Sequence, residues 1–236
     1  MRRSCRARKK AAAAAFFVPA PGKVGIANPS GALSMAVPSP HTLALILAAG
    51  KGTRMRSAQP KVMLDLGGAP MLAHVLAAAG TVVEAIRVIH GPDMPAVVAL
   101  AEGAGASVAC QTTQRGTGDA VRAALPLPQG VDRVLVLSGD VPLLEPATLK
   151  NFLEAVPADA VGVMTTTLDV PTGFGRILRD GDGALAAIVE EKDATPAQRA
   201  LQEINAGIYV FPAKPLPRWL DAITADNAQG SSILRT

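Results

Sequence analysis

Between residues 43 and 155 the chain repeats one alternation, a short aliphatic run followed by a helical stretch. Leu43–Ala48, Ala85–Ile89, Val108–Cys110 and Val134–Leu137 are brief and rich in Val, Ile and Leu, as strands buried on both faces should be. Helical patterns lie between them at Pro70–Ala79, Ala96–Glu102 and Thr117–Leu125, and Pro146–Ala155 follows the last run. This β-α-β-α order predicts an α/β fold, a mostly parallel sheet with helices on both faces. Ligand sites in such sheets are built by the loops that leave the C-terminal ends of the strands. Further on, "VGVMTTTL" and "EINAGIYVF" read as strands, and "GRILRDGDGALAAIVEE" reads as a hairpin turning at Asp180-Gly181-Asp182-Gly183. No internal repeat is present.

Composition matters chiefly for what it excludes. With 236 residues, 49% of them hydrophobic, the chain can bury one sizeable core. The net charge of +4 is unevenly spread. Residues 1–41 carry seven of the 23 Lys and Arg and no acid, which leaves 16 basic against 19 acidic residues beyond them. The body is mildly acidic, so no basic face for nucleic acid is expected. The N-terminal segment is rich in Pro, Gly and Ala and reads as a disordered basic extension, with a targeting peptide as the alternative. Cys5 and Cys110 make no disulfide framework. A reducing cytoplasm and no membrane span are expected.

The first aliphatic run breaks directly into Gly50-Lys51-Gly52-Thr53-Arg54, and Pro60-Lys61 follows. Glycine lets backbone N–H groups approach phosphate oxygens, and nearby cations offset their charge. The turn is not a P-loop, because Lys51 is followed by Gly52 rather than Ser or Thr. Nor is it a dinucleotide fingerprint, because Met55 stands at the third glycine position. An ordinary strand-to-helix turn with solvated cations is the plain alternative. Two later segments add chemistry. "QTTQRGTGDAVRAAL" follows another run, with Gln111 offering an amide donor and acceptor. "VLVLSGDVPLL" sets Asp140 just past a buried strand, where a carboxylate suits Mg²⁺ against phosphates or serves simply as a turn cap. His41, His74 and His90 are expected to be structural or exposed.

Together with "LILAAGKGTRM", "PKVMLDLGG", "PTGFGRI", "IVEEKDAT", "QEINAGIYVF" and "NAQG", these segments resemble the nucleotidyltransferase domain of the bifunctional N-acetylglucosamine-1-phosphate uridyltransferase / glucosamine-1-phosphate acetyltransferase. The motifs run in register from Leu43 to Gly230. The resemblance implies a Rossmann-like, glycosyltransferase-A-like fold over residues 42–236. It also implies Mg²⁺-dependent transfer from UTP to N-acetylglucosamine 1-phosphate, giving UDP-N-acetylglucosamine for peptidoglycan synthesis. By the same resemblance, Leu47, Ala48, Ala49 and Gly50 line the uridine-nucleotide site with backbone groups, while Arg54 and Lys61 meet the triphosphate. Gln111, Gly116 and Thr117 read the uracil. Ser138, Gly139 and Asp140 lie under the ribose and metal, with Asp140 the metal ligand. Gly175, Glu190 and Asn205 hold the sugar.

At the end the pattern departs. After "NAQG" the chain runs into "SSILRT", where the family has an acidic-aromatic continuation, a second metal-ligating asparagine and a left-handed β-helix. A C-terminally truncated domain, weak or inactive as an enzyme and without the trimer-forming half, is the resulting expectation. Two alternatives stay open: a molybdenum-cofactor guanylyltransferase-like enzyme, which shares the first glycine turn, and a non-catalytic nucleotide-binding remnant.

Overall fold

The computed structural model describes residues 41–50, 59–113 and 115–222, together with the backbone of 14–18. The glycine turn with Lys51 and Arg54, and the segment beyond Ala222, lie outside the described residues. Eleven strands occur among those described: β1 (Ala14–Val18), β2 (Thr42–Leu47), β3 (Asp65–Leu66), β4 (Ala69–Pro70), β5 (Ala85–His90), β6 (Ser107–Cys110), β7 (Arg133–Ser138), β8 (Val161–Thr167), β9 (Arg176–Arg179), β10 (Leu185–Val189) and β11 (Glu203–Pro212). The helices are α1 (Met71–Gly80), α2 (Pro95–Gly103), α3 (Thr117–Arg122), α4 (Pro146–Ala155), α5 (Pro196–Arg199) and α6 (Leu216–Ala222).

The main sheet runs β1-β8-β11-β7-β2-β5-β6, with β9 and β10 attached beside β11. Its parallel ladders join β7, β2, β5 and β6. These are the four aliphatic runs read from the sequence. Beyond β7 every pairing is antiparallel, so the second half of the chain widens the sheet without crossover helices between all its strands. The β9–β10 hairpin closes where Asp180 was expected to turn it. The Asp180 carboxylate accepts from the N–H groups of Asp182 and Ala184 at 3.0 and 2.9 Å.

Both faces of the parallel half are covered. Along β2, Ala44 and Ile46 pack with α1, α2 and α4, whereas Leu43 and Leu45 pack with α3 and α6. In β7, Leu135 and Leu137 face the first layer and Val134 and Val136 the second. A strand sandwiched in this way has no polar face, which is why its sequence shows no alternation.

Two features differ from expectation. Residues 14–18 lie inside the segment expected to be disordered, yet they pair antiparallel with β8 as an edge strand. An unpaired strand edge offers a row of backbone donors and acceptors, and the Phe-Phe-Val end of this stretch has high strand propensity. The remainder of residues 1–40 lies outside the described residues. The helix expected over Thr117–Leu125 is also shorter, ending at Arg122. Among the described residues, no helix is long and apolar enough to cross a membrane.

A candidate nucleotide site

The chain leaves β2, builds β5 and β6 on one side, then returns to place β7 on the other side of β2. Reversal of direction in an open sheet separates the loops at the strand ends and leaves a crevice there. A cleft of about 580 Å³ occupies this place, within the range of small-molecule sites. Leu47, Ala49 and Gly50 enter it from the end of β2, Gln111 from the end of β6, and Ser138 and Asp140 from the end of β7. A single 3-10 turn after Pro60 adds Lys61 and Val62. Gly116 and Thr117 at the start of α3 form another part of the wall, and Glu190 and Asn205 close the far side.

One end of the cleft is strongly polar. Lys61 Nζ donates to Asp140 Oδ2 at 2.7 Å, and Ser138 Oγ donates to Asp140 Oδ1 at 2.5 Å. Both charged side chains remain partly exposed, at 41% for Lys61 and 30% for Asp140. Burial alone would favour the neutral acid. The hydrogen bonds from Lys61 and Ser138 and the lysine charge outweigh it, so the Asp140 carboxyl sits below the ordinary aspartate range. Gly139 carries the chain between these partners. Its N–H bonds Leu47 O at 2.9 Å, and a Cβ there would meet that oxygen at 3.2 Å and Val62 Cγ1 at 3.1 Å. Glycine thus lets the β7 exit press against the β2 exit. Among the described residues no group of three or more His, Cys, Asp or Glu side chains forms a metal cage, and Asp140 acts as a single carboxylate.

Another part of the wall is built around the Gln111 amide. Gln111 is 4% exposed, and its Nε2 donates to Asp119 Oδ2 at 3.0 Å and to Gly116 O at 3.3 Å. Of the amide donor and acceptor expected from this residue, the donor is therefore taken up inside the protein. On the far side, a register shift between Asn205 and Tyr209 interrupts the β11–β8 ladder. Such a bulge re-aims side chains relative to the sheet. Gly207 sits in the bulge at φ 74°, a left-handed conformation that favours glycine, and its N–H bonds Asn205 Oδ1 at 2.9 Å. Asn205 Nδ2 donates to the Tyr209 hydroxyl at 2.5 Å. Burial raises the Tyr209 pKa, the Asn205 bond opposes the rise, and the Glu190 charge adds to it.

Most of the residues expected in the site are thus gathered in one place, although they come from widely separated segments. Three lie just behind its surface. Ala48 is buried, with its N–H bonded to Ile89 O at 2.8 Å. Gly139 sits in the wall as described. Gly175 touches the cleft indirectly, for a Cβ there would stand 3.3 Å from Glu190 Oε1, and its carbonyl accepts from Asn205 N at 2.9 Å. None of the three histidines lines the cleft. His74 and His90 bond the carbonyls of Leu66 and Gly91. Tyr209, Gly207, Val62, Ala120 and Val136 also line the cleft but were not expected there. Only Tyr209 and Gly207 carried a sequence signal, a glycine interrupting an otherwise strand-like run.

A family model described as the MobA-like NTP transferase domain matches residues 44–208. The bifunctional protein GlmU of Acidithiobacillus ferrooxidans is 51% identical over 191 residues, covering 80% of this chain and 42% of that protein. Bifunctional protein GlmU of Halorhodospira halophila is 49% identical, with 80% and 40% covered, and that of Pseudomonas aeruginosa strain LESB58 is 48% identical, with 80% and 42% covered. The chain therefore spans about two fifths of the length of these curated relatives. Among solved structures, a UDP-glucose pyrophosphorylase complexed with UDP-glucose superposes with a TM-score of 0.60 at 15% identity, covering 80% of this chain and 82% of that one. A CMP:2-keto-3-deoxy-manno-octonic acid synthetase complexed with CTP gives 0.55 at 20% identity, with 76% and 77% covered. At such low identity these two speak for the fold, a Rossmann-like sheet of the glycosyltransferase-A-like kind. By its family match over most of the described body and by the fold that carries it, this chain belongs to the MobA-like NTP transferase domain family.

Proposed function

We propose that residues 42–236 form a nucleotidyltransferase domain that moves the uridylyl group of UTP onto N-acetylglucosamine 1-phosphate, giving UDP-N-acetylglucosamine and pyrophosphate in the cytoplasm. The main support is the meeting of Lys61, Gln111 and Asp140 in one cleft with Glu190 and Asn205 opposite them. A charged end suits the triphosphate, an amide-lined end suits the base, and the far wall suits a sugar. The relatives near half identity, all named bifunctional protein GlmU, favour this over the guanylyltransferase alternative.

The attacking sugar phosphate is already an anion at neutral pH, so the protein need only position it and offset charge. No general base is required, consistent with histidines that stay outside the cleft. Lys61 is a mobile point charge and would leave Asp140 for a phosphate oxygen when the triphosphate enters. Asp140 fits Mg²⁺, a hard cation usually held by one or two carboxylates plus substrate phosphates, because it is a charged oxygen donor open to the cleft. That ion would neutralise phosphate charge.

Arg54 lies outside the described residues, and its expected role can be tested directly. If it stabilises the triphosphate, Arg54→Ala should lower turnover on the order of 10²–10³-fold, as loss of one preorganised charge does. The assay is pyrophosphate release by the full chain supplied with UTP, N-acetylglucosamine 1-phosphate and Mg²⁺. A variant within about twofold of the unaltered chain would return Arg54 to the solvated surface. UTP binding without turnover in the unaltered chain would favour a non-catalytic nucleotide-binding role.

A further inference from the structure

We infer that Asp119 is the residue that sets base choice in the cleft, by fixing which end of the Gln111 amide faces the nucleotide. The inference rests on the uridine site proposed above and assigns its selectivity to a residue behind the wall.

A glutamine amide can be turned either way, presenting a donor or an acceptor. Alone in a cleft, Gln111 would pair with uracil in one orientation and with cytosine in the other. Here the amide nitrogen has two hydrogens, and both are committed: one to Asp119 Oδ2 at 3.0 Å, the other to Gly116 O at 3.3 Å. Both partners only accept. Asp119 is 7% exposed and sits between two guanidinium groups, with Arg115 Nη2 at 3.3 Å and Arg122 Nη1 at 3.7 Å from Oδ1, so its charge is paired where it stands. Reversing the amide would set Oε1 against these two acceptors inside the protein, leaving buried groups without donors. The oxygen is therefore the end that Gln111 can offer a ligand.

Beside it, Gly116 and Thr117 line the same wall, and as the cap and first residue of α3 their N–H groups have no partner within the helix and are the donors at hand. An acceptor next to a donor complements the N3–H and O4 edge of uracil. Cytosine presents the reverse order, an acceptor at N3 and a donor at N4. Asp119 touches no substrate in this arrangement. It is a positioning residue that acts through Gln111.

The test is calorimetric affinity of the full chain for UTP, CTP and dTTP, before and after Asp119→Asn. Asparagine keeps the shape but can donate as well as accept, so the charged one of the two acceptors that hold the Gln111 nitrogen inward is removed and reversal of the amide costs less. The UTP-to-CTP affinity ratio should fall about 10- to 100-fold, the value of one unpaired buried group. The UTP-to-dTTP ratio should not move, because the two bases share the edge that Gln111 meets. A purely structural role for Asp119 would weaken all three alike and leave both ratios unchanged, which would overturn the inference.

The unaltered chain supplies a check independent of how the variants fold. The Gln111 side-chain amide protons, followed by ¹⁵N NMR, should stay protected from exchange and shift little when UTP is added. A large shift on UTP binding would mean that the nitrogen faces the base. If the unaltered chain shows no preference for UTP over CTP, the uridine site itself fails and this inference falls with it. UTP preference retained in Asp119→Asn removes this inference alone.

Discussion

Asp140→Asn should lower pyrophosphate release from UTP and N-acetylglucosamine 1-phosphate about 10³- to 10⁴-fold while the fold survives. Among the described residues, Asp140 is the one carboxylate at the polar end of the cleft, bonded by Lys61 and Ser138. The amide keeps the shape but loses the charge on which a divalent cation depends, and that cation supplies several kcal/mol of charge stabilisation in such transfers, with each factor of ten in rate worth about 1.4 kcal/mol. A second readout follows from the lowered Asp140 pKa. A carboxyl whose folded pKa is depressed contributes stability that is fully present above its unfolded value, and loses it as pH falls through the folded value. Chemical denaturation of the unaltered chain should therefore show an acid-side loss of stability that Asp140→Asn lacks in part. Near-normal turnover with Mg²⁺ in the variant would remove Asp140 from the proposed metal site.

Arg133→Ala should destabilise the protein by about 3 kcal/mol, a typical figure for a buried hydrogen bond to a charged group, and lower Tm by roughly 6–12 °C for a chain of this size. Arg133 opens β7 and is 7% exposed. Its Nη1 donates to the carbonyls of Leu153 at 2.8 Å and Val156 at 3.2 Å, where α4 ends and its last carbonyls have no helical partner. A cation there also meets the negative end of the helix dipole. Burial pulls the Arg133 pKa down, while Glu84 and Asp132 hold it up, so the charge is retained at a cost. Truncation leaves the carbonyls dry and a cavity beneath them. Arg133→Lys should recover part of the loss, since it keeps the charge and one donor. A melt of Arg133→Ala within about 0.5 kcal/mol of the unaltered chain, the usual effect of a surface substitution, would show that water replaces the guanidinium.

The parallel half of the fold could be read from the sequence because each of its strands is buried on both faces. That burial imposes a local pattern, the uninterrupted aliphatic run at 43–48 or 134–137, which needs no knowledge of its neighbours. Hairpin β9–β10 was legible for a similar reason, since its Asp-Gly-Asp-Gly turn carries its own backbone hydrogen bonds. By contrast, β1 became a strand only because β8 had an edge to offer, and no local pattern announces a partner so far along the chain. The bulge in β11 belongs to the same class. Gly207 hints at it, but only the pairing with β8 shows that the register shifts there and that Asn205 and Tyr209 meet.

Residue types at strand ends likewise pointed to a phosphate-binding cleft before any coordinates. A lysine, an aspartate past a buried strand and a glutamine before a glycine turn are costly in a core and useful at its edge. What the sequence by itself determined was therefore the set of groups and the layer in which they would lie. Only the tertiary structure decided which of them touch. It joined Lys61 to Asp140 at 2.7 Å, kept Gly175 behind Glu190, and took the Gln111 amide hydrogens for Asp119 and Gly116. The physical reason is range. Burial and turn conformation act over a few consecutive residues and leave a trace in their order, whereas hydrogen bonds between loops depend on the packing of the whole sheet beneath them.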